Sequence, residues 1–491
     1  MVLDKKAFFL IFGALMLVLA LSFLSYFLPI FGSVAFVSIL TAVLLASLYR
    51  LKFGVYIALT EIMIGSMGHL FGIKISGFDL SLRIGIFAVI ILVWLIKVLF
   101  ELARKRKLEN YGKIFGSKFF KYYAVLILVI FWGALWGYLR GNGLANVFFD
   151  VNGWLFFFYF LPFFDVLTAK DGSKILSIMA GVIGVNCLLS VFAFICFTQN
   201  FSFVDSLYGW LRDFRIGEIT FAGGNLWRVF LQSQIYAAIG APLFFYLTTR
   251  KYLESKKINL LLALTFVFSS LTVVLSLSRS FWLGCLAAFG VMLLIFLFKE
   301  KIGLKKICAF GAIFIFILAL EVLFVWLVAG SGSGDLISKR LTDTSEAAGI
   351  SRVNQLKPLS LEVAKHPVLG SGYGTAVTYQ TRDPRILKNN PDGWYTTFTF
   401  EWGYLDILLK IGLFGLIVYL LLIWKVIEQL RITNYPPSFA VANFGETGEL
   451  RIGLILGLVV LLVVHMFSPY LNHPLGIGYI VLLSSFGKKD N

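Results

Sequence analysis

The sequence predicts an all-α polytopic membrane protein with about 14 (12–14) transmembrane helices and one long extracytoplasmic loop carrying short helices. Three observations predict it. Apolar runs of roughly 20 residues, the length that crosses a hydrocarbon core, recur from end to end. Only 14% of the residues are charged, against about a quarter in a soluble domain, so a water-soluble globule is excluded. Lys and Arg collect in short clusters between alternate apolar runs, the pattern that fixes cytoplasmic loops.

In chain order, Lys5 and Lys6 precede a first span near 7–26, and no small-residue cleavage signal follows it. An uncleaved first helix is the reading. Further spans are expected near 29–48, 53–73, 84–100, 122–139, 154–168, 174–197, 228–248, 259–277, 280–298, 307–329, 404–424, 452–468 and 474–486. Every second loop is basic: Arg50 and Lys52; RKRK at 104–107 with Lys113, Lys118 and Lys121; Lys170 and Lys174; Arg250, Lys251, Lys256 and Lys257; Lys299, Lys301, Lys305 and Lys306; Lys425 and Arg431; Lys488 and Lys489. Both termini are therefore expected in the cytoplasm of a cell in whose inner or plasma membrane the chain lies. The net charge of +17 encodes this orientation and implies no nucleic acid.

The organisation expected is N-terminal membrane helices over 1–329, a long outer loop over 330–403, and C-terminal membrane helices over 404–491. The loop carries eight Lys or Arg against seven Asp or Glu, a net of +1, so it is no orientation signal. A Gly- and aromatic-rich insert of that length is too long for a connector and is expected to carry function. Its SEAAGISRVNQLKPLSLEVAKHP stretch reads as two short helices. Cys187, Cys196, Cys285 and Cys308 stand singly in apolar runs and read as small core residues, with no disulfide and no metal-ligand spacing.

The outer ends of the helices hold Arg83, Arg140, Asp150, Arg215, Arg228, Arg279, Arg352 and Glu401. An Arg costs about 2–3 kcal/mol at mid-membrane and less near the edge, so it usually has a partner or a ligand. Arg279 lies in VLSLSRSFWLGC, where one apolar run passes into the next without a polar loop. It reads either as a snorkelling anchor or as a fixed cation for a phosphate, whose two oxygens match the guanidinium fork. Arg228 has the same placement and the same two readings. His366 lies in HPVLGSGYG (366–374), whose Pro and glycines read first as a shaped turn, with the imidazole a candidate base. His69 reads as an interior polar group, and His465 and His473 as candidates to line an outer cavity. Glu61, Asp165 and Glu321 are expected to bond to neighbours within the bundle, and Asp406 with Lys410, four apart on one helix face, to form a buried ion pair. P-loop, GxGxxG and HExxH motifs are absent, as is a DxD-like carboxylate pair in the outer loop, so neither ATP nor a metal-bound nucleotide sugar is implied.

Between Ser276 and Leu422 the chain resembles the O-antigen ligases and O-antigen polymerases, integral membrane glycosyltransferases. The pieces stand in family order: SLSRSFW with Arg279, SRVNQL with Arg352, HPVLGSGYG, then a helix entry closing with GLFG; upstream, WRVFLQSQIYAAIGAPL and the Asp150 loop are similar too. The resemblance implies a metal-independent enzyme without cofactor, whose donor is an undecaprenyl-diphosphate-linked glycan and whose acceptor is a hydroxyl of a glycan or lipid. It implies Arg228, Arg279, Arg352, Arg215 and Tyr404 as binding residues, and Glu401, Arg279 and His366 as the catalytic set, on the outer face. One departure stands out: the family's His-Asn pair before the Leu-rich helix is Glu401-Trp402 here. Glu401 either takes over the acceptor-activating role, its pKa raised in an apolar mouth, or caps the helix start. The alternatives are a polysaccharide or lipid-linked oligosaccharide transporter, whose sites would sit near the midplane, and a structural membrane subunit.

Overall fold

The computed structural model describes residues 3–75, 78–103, 116–330, 347–431 and 444–486 of the chain. It is a helical bundle. Asp4 opens α1 (Lys5–Phe27) by accepting the Ala7 N–H at 3.1 Å. Leu28 alone separates it from α2 (Pro29–Tyr49), where Pro29 occupies the first helical position and forgoes an N–H that would have no partner there. There follow α3 (Leu51–Ile64), α4 (Leu82–Ala103), α5 (Lys118–Leu139), α6 (Leu144–Val151), α7 (Phe160–Val166) and α8 (Gly172–Thr198). Next come α9 (Val204–Asp213), α10 (Ile235–Ser255), α11 (Leu260–Ser276), α12 (Arg279–Leu294) and α13 (Leu304–Ala329). The last are α14 (Ala347–Lys365), α15 (Pro384–Leu387), α16 (Gly403–Arg431), α17 (Phe444–Val464) and α18 (Pro474–Phe486).

Among the described residues nine helices are long and apolar enough to cross a membrane. The other five apolar runs are helical over α3, α10, α11, α17 and α18. Two of these depart from expectation because polar structure intervenes. The run 53–73 stops being helical at Ile64, where Ser66 and Gly68 take left-handed backbone and Arg83 donates to the Ser66 carbonyl at 2.7 Å. The run 228–248 begins as a strand, Leu226–Leu231, and turns helical only at Ile235.

Helices α8, α10 and α18 are buried on nearly all sides. Helix α1 shows solvent-accessible Phe9, Leu10 and Leu17, and α13 shows Ile315, Phe316 and Leu327. Such outward apolar faces cost nothing against lipid, where packing rather than hydrophobicity associates helices. The buried carboxylates have partners. Glu61 pairs with Arg83 at 3.0 Å, Asp165 with Lys97 at 3.0 Å, and Glu321 with the Ser270 hydroxyl. Cys187, Cys196 and Cys285 are buried, whereas Cys308 is exposed on α13 and is not a core residue.

The two ends of the bundle differ in kind. One end holds polar ties among the basic connections: Asp171 accepts from Lys52 and Tyr56, and Arg250 reaches both Glu300 and Glu449. Of the expected basic clusters, 104–107, Lys113 and 488–489 lie outside the described residues. The other end holds three antiparallel hairpins that periodicity did not indicate: β1 (Gly72–Ile75) with β2 (Phe78–Ser81), β3 (Gly217–Gly223) with β4 (Leu226–Leu231), and β5 (Val377–Gln380) with β6 (Trp394–Thr397).

Candidate functional site

Four glycines build the foundation. In HPVLGSGYG, Gly370, Gly372 and Gly374 all have left-handed φ, and so does Gly412 inside α16. The helix breaks there, and the loop repairs the break. Ser371 and Gly372 N–H donate to the Leu409 and Lys410 carbonyls at 2.6 and 3.1 Å, while Leu413 and Phe414 N–H donate to the Pro367 and Val368 carbonyls at 2.8 and 3.1 Å. Freed backbone groups in a membrane must find such partners. No side chain fits in this clasp: a Cβ on Gly370 would lie 2.6 Å from the Lys410 backbone, and one on Gly412 would lie 2.2 Å from the Val368 carbonyl oxygen. His366 contributes its carbonyl to the Gly370 N–H at 3.0 Å. The shaped-turn reading of this motif fits the geometry.

The clasp sets the entry to α16. Beside it lies a small apolar core of Leu359, Val377, Phe400 and Leu409, joined by Val363, Trp402 and Leu405. Leu359 and Val363 come from α14, a single helix with Pro358 inside it rather than two short ones. Pro358 removes one N–H from the ladder without ending it. Phe400 is anchored in the small core, and Trp402 Nε1 donates to the Arg352 carbonyl at 2.9 Å. Glu401 between them is half-exposed and forms an ion pair with Arg352. It stands outside any enclosed apolar mouth, and it is not the cap either, because the Trp402 carbonyl accepts the first helical N–H, from Asp406 at 2.8 Å.

A second constellation surrounds the turn between α11 and α12. Leu277 takes left-handed backbone, so α11 ends at Ser276 and α12 starts at Arg279. A cation at a helix N-terminus opposes the dipole unless an anion joins it. Arg228 on β4 donates from Nε to the Ser276 carbonyl at 2.9 Å, its guanidinium 4.6 Å from the Phe230 ring. Arg228 and Arg279 thus flank one two-residue turn, Leu277–Ser278.

The segment 465–473 between α17 and α18 lies between these constellations. Phe467 touches the Trp402 ring at 5.8 Å, and His465 meets the Tyr404 ring at 4.7 Å. Tyr470 packs on Phe281 at 6.0 Å and bonds Gln232 beyond β4. Tyr404 itself is turned inward, its hydroxyl donating to the Leu462 carbonyl at 2.9 Å. His465 is wholly buried, its Nδ1 accepting the Leu471 N–H at 3.1 Å, and so lines no open cavity. His473 meets the Met67 sulfur at 3.2 Å. Arg215, in left-handed backbone, reaches His69 Nε2 at 3.4 Å. Burial first, then the Arg215 and Arg83 cations, hold the His69 imidazole down at about 4, so the neutral ring accepts that bond. The segment's central place was not legible beforehand; its only signal was FSPYLNHPLG, a polar turn between two apolar runs. An open depression of about 460 Å³ beside β5 and β6, lined by Arg382, Asp392 and neighbours, contains none of the candidate residues.

Compared with known proteins, residues 264–420 match the O-antigen ligase family. The match spans Arg279, Arg352, His366, Glu401 and Tyr404, and leaves Arg215 and Arg228 upstream. Among curated proteins, none matches the chain.

Proposed function

Residues 264–420 place this chain in the O-antigen ligase and polymerase superfamily, and from that premise we propose a cell-envelope membrane glycosyltransferase that moves a glycan from a polyprenyl (undecaprenyl-type) diphosphate to an acceptor hydroxyl. The observation that carries the proposal is the matched region itself, which joins a cationic helix start at Arg279 to an Arg352–Glu401 pair at the same end of the bundle. In this reading the acceptor oxygen attacks the anomeric carbon of the donor. The bond from that carbon to the phosphate oxygen breaks, and the electron pair leaves with the polyprenyl diphosphate. Arg279 and Arg228 meet the leaving charge, with the N–H groups at the start of α12 beside them. Glu401 takes the acceptor proton. Arg352 holds Glu401 before substrate arrives. Arginine charge supplies what a metal would supply elsewhere. The bilayer presents both lipid-linked partners to the outer face.

Glu401 in place of the His implied by the resemblance favours the polymerase branch, in which the acceptor is another lipid-linked repeat. A deletion strain separates the branches: single-repeat chains support a polymerase, and free lipid-linked polymer a ligase. Lipid-linked repeats confined to the inner leaflet would instead support a transporter. The direct test is glycan transfer from purified lipid-linked donor in nanodiscs. Glu401→Gln keeps size and most hydrogen bonds but removes the proton acceptor, so turnover should fall about 100-fold or more with donor binding unchanged. Near-normal turnover would remove Glu401 from the mechanism. Glu401→His should retain activity with a pH profile centred near that of an imidazole, about 6.5 when unperturbed.

A further inference from the structure

We propose that Lys410 is a positioning residue for Glu401, acting from inside the bundle through the backbone that carries the carboxylate; the inference rests on Glu401 acting as the base. The Lys410 ammonium is buried, donates hydrogen bonds to Asp150 on α6 and to the Phe398 carbonyl at 2.9 Å, and forms an ion pair with Asp406 one turn back on α16 at 2.7 Å. Its partners extend the tie further. The second oxygen of Asp150 accepts the Gly374 N–H of the clasp at 2.8 Å, and the second oxygen of Asp406 accepts Asn472 Nδ2 from the 465–473 segment at 2.6 Å. The Lys410 backbone carbonyl accepts the Gly372 N–H. One side chain therefore fixes, relative to one another, the outer loop, the segment before α16, and the turn between the two cationic constellations.

Stability does not account for this arrangement. Taking three charges out of water costs several kcal/mol per ion, and well-packed apolar residues of similar volume often serve as well or better. What an ammonium with two directed hydrogen bonds and a buried ion pair supplies, and an apolar side chain does not, is a defined position for the chain it holds. That chain is short: the Phe398 carbonyl lies three residues before Glu401, and the Phe400 ring is 5.7 Å from the ammonium. Glu401 is half-exposed and, among the described residues, its carboxylate is tied only to Arg352 by an ion pair, so its position rests largely on the backbone that carries it. Anchors on either side of it, Lys410 through Phe398 and Phe400 and the Arg352 carbonyl through Trp402, define where its carboxylate stands.

The test is a double-mutant cycle in nanodiscs with Lys410→Met and Glu401→Gln, reading turnover, donor binding and the amount of folded protein. Lys410→Met should lower turnover about 10- to 100-fold, the usual cost of roughly 1 Å of misplacement, with donor affinity unchanged. In the Glu401→Gln background the same substitution should cost almost nothing further, because a residue that acts through Glu401 has nothing left to position. Losses that multiply, or wild-type turnover in Lys410→Met, overturn the proposal. Wild-type turnover in Glu401→Gln overturns the assignment of the base instead, so the two failures are distinguishable. If Lys410→Met does not reach the membrane folded, Asp406→Asn carries the cycle. It keeps size and a bond to Asn472 while removing one of the three charges, and it should show the same non-additivity with a several-fold loss; additive losses there overturn the proposal equally.

Discussion

Two glycines with nearly the same backbone separate the clasp from an ordinary turn. Gly372 has φ +87° and Gly141 φ +81°, so alanine at either is forced into left-handed conformation, at about 1–2 kcal/mol. At Gly141 nothing lies within 4 Å of the added Cβ, and the strain is the whole effect. At Gly372 the Cβ would stand 2.4 Å from Gly137 N, 2.5 Å from Gly137 Cα and 3.1 Å from the Gly133 carbonyl, all backbone of α5 that cannot rotate aside. Overpacking of that kind adds about 1–3 kcal/mol. Gly372→Ala should therefore cost roughly 2–5 kcal/mol against roughly 1–2 for Gly141→Ala. The assay is the midpoint of thermal loss of the folded, monodisperse species in detergent, with glycan transfer measured at a permissive temperature. Gly372→Ala should melt several degrees below Gly141→Ala and lose turnover, because displacing Gly372 disturbs the Lys410 carbonyl it bonds. Gly141→Ala should transfer glycan normally. Equal midpoints would refute the argument that close backbone approach, rather than turn conformation alone, requires these glycines.

Arg279→Lys keeps the charge but loses the two-pronged phosphate contact, so transfer should fall well below wild type at normal protein level, and Arg279→Ala should be nearly inactive; wild-type rates in both would leave Arg279 a lipid anchor. A tag in the expected outer loop at 330–403 should be reachable from outside intact spheroplasts and one in the expected basic loop at 101–121 should not, and labelling of both from one side would overturn the orientation. His69 binds its proton less readily when folded (about 4) than when unfolded (about 6.5), so its contribution to stability is complete above pH 6.5 and declines as pH falls toward 4. The melting midpoint should drop between pH 7.5 and 5, less so in His69→Gln; an equal drop in both would remove His69 as a cause.

The sequence by itself determined the class of molecule, the number of apolar runs, the alternation of basic connections and the side chains worth testing. All of these are local properties: a stretch of 20 apolar residues or a Lys cluster declares itself without reference to the rest of the chain. Pairs one helical turn apart were legible for the same reason, as with Asp406 and Lys410. The glycines of HPVLGSGYG announced a turn but not its purpose, since an isolated glycine looks the same whether it gives flexibility or allows a second backbone to approach within van der Waals distance. Only the tertiary structure decided the rest. It brought Asp150 to Lys410 across 260 residues of chain, set Glu401 against Arg352 rather than in an apolar mouth, and drew one end of each of two apolar runs into a hairpin strand. It also made the 465–473 segment the meeting place of the two cationic constellations. These outcomes depend on which backbone groups lose their partners when helices break inside a bundle, and on which distant side chains then supply them. Local periodicity holds no record of that pairing.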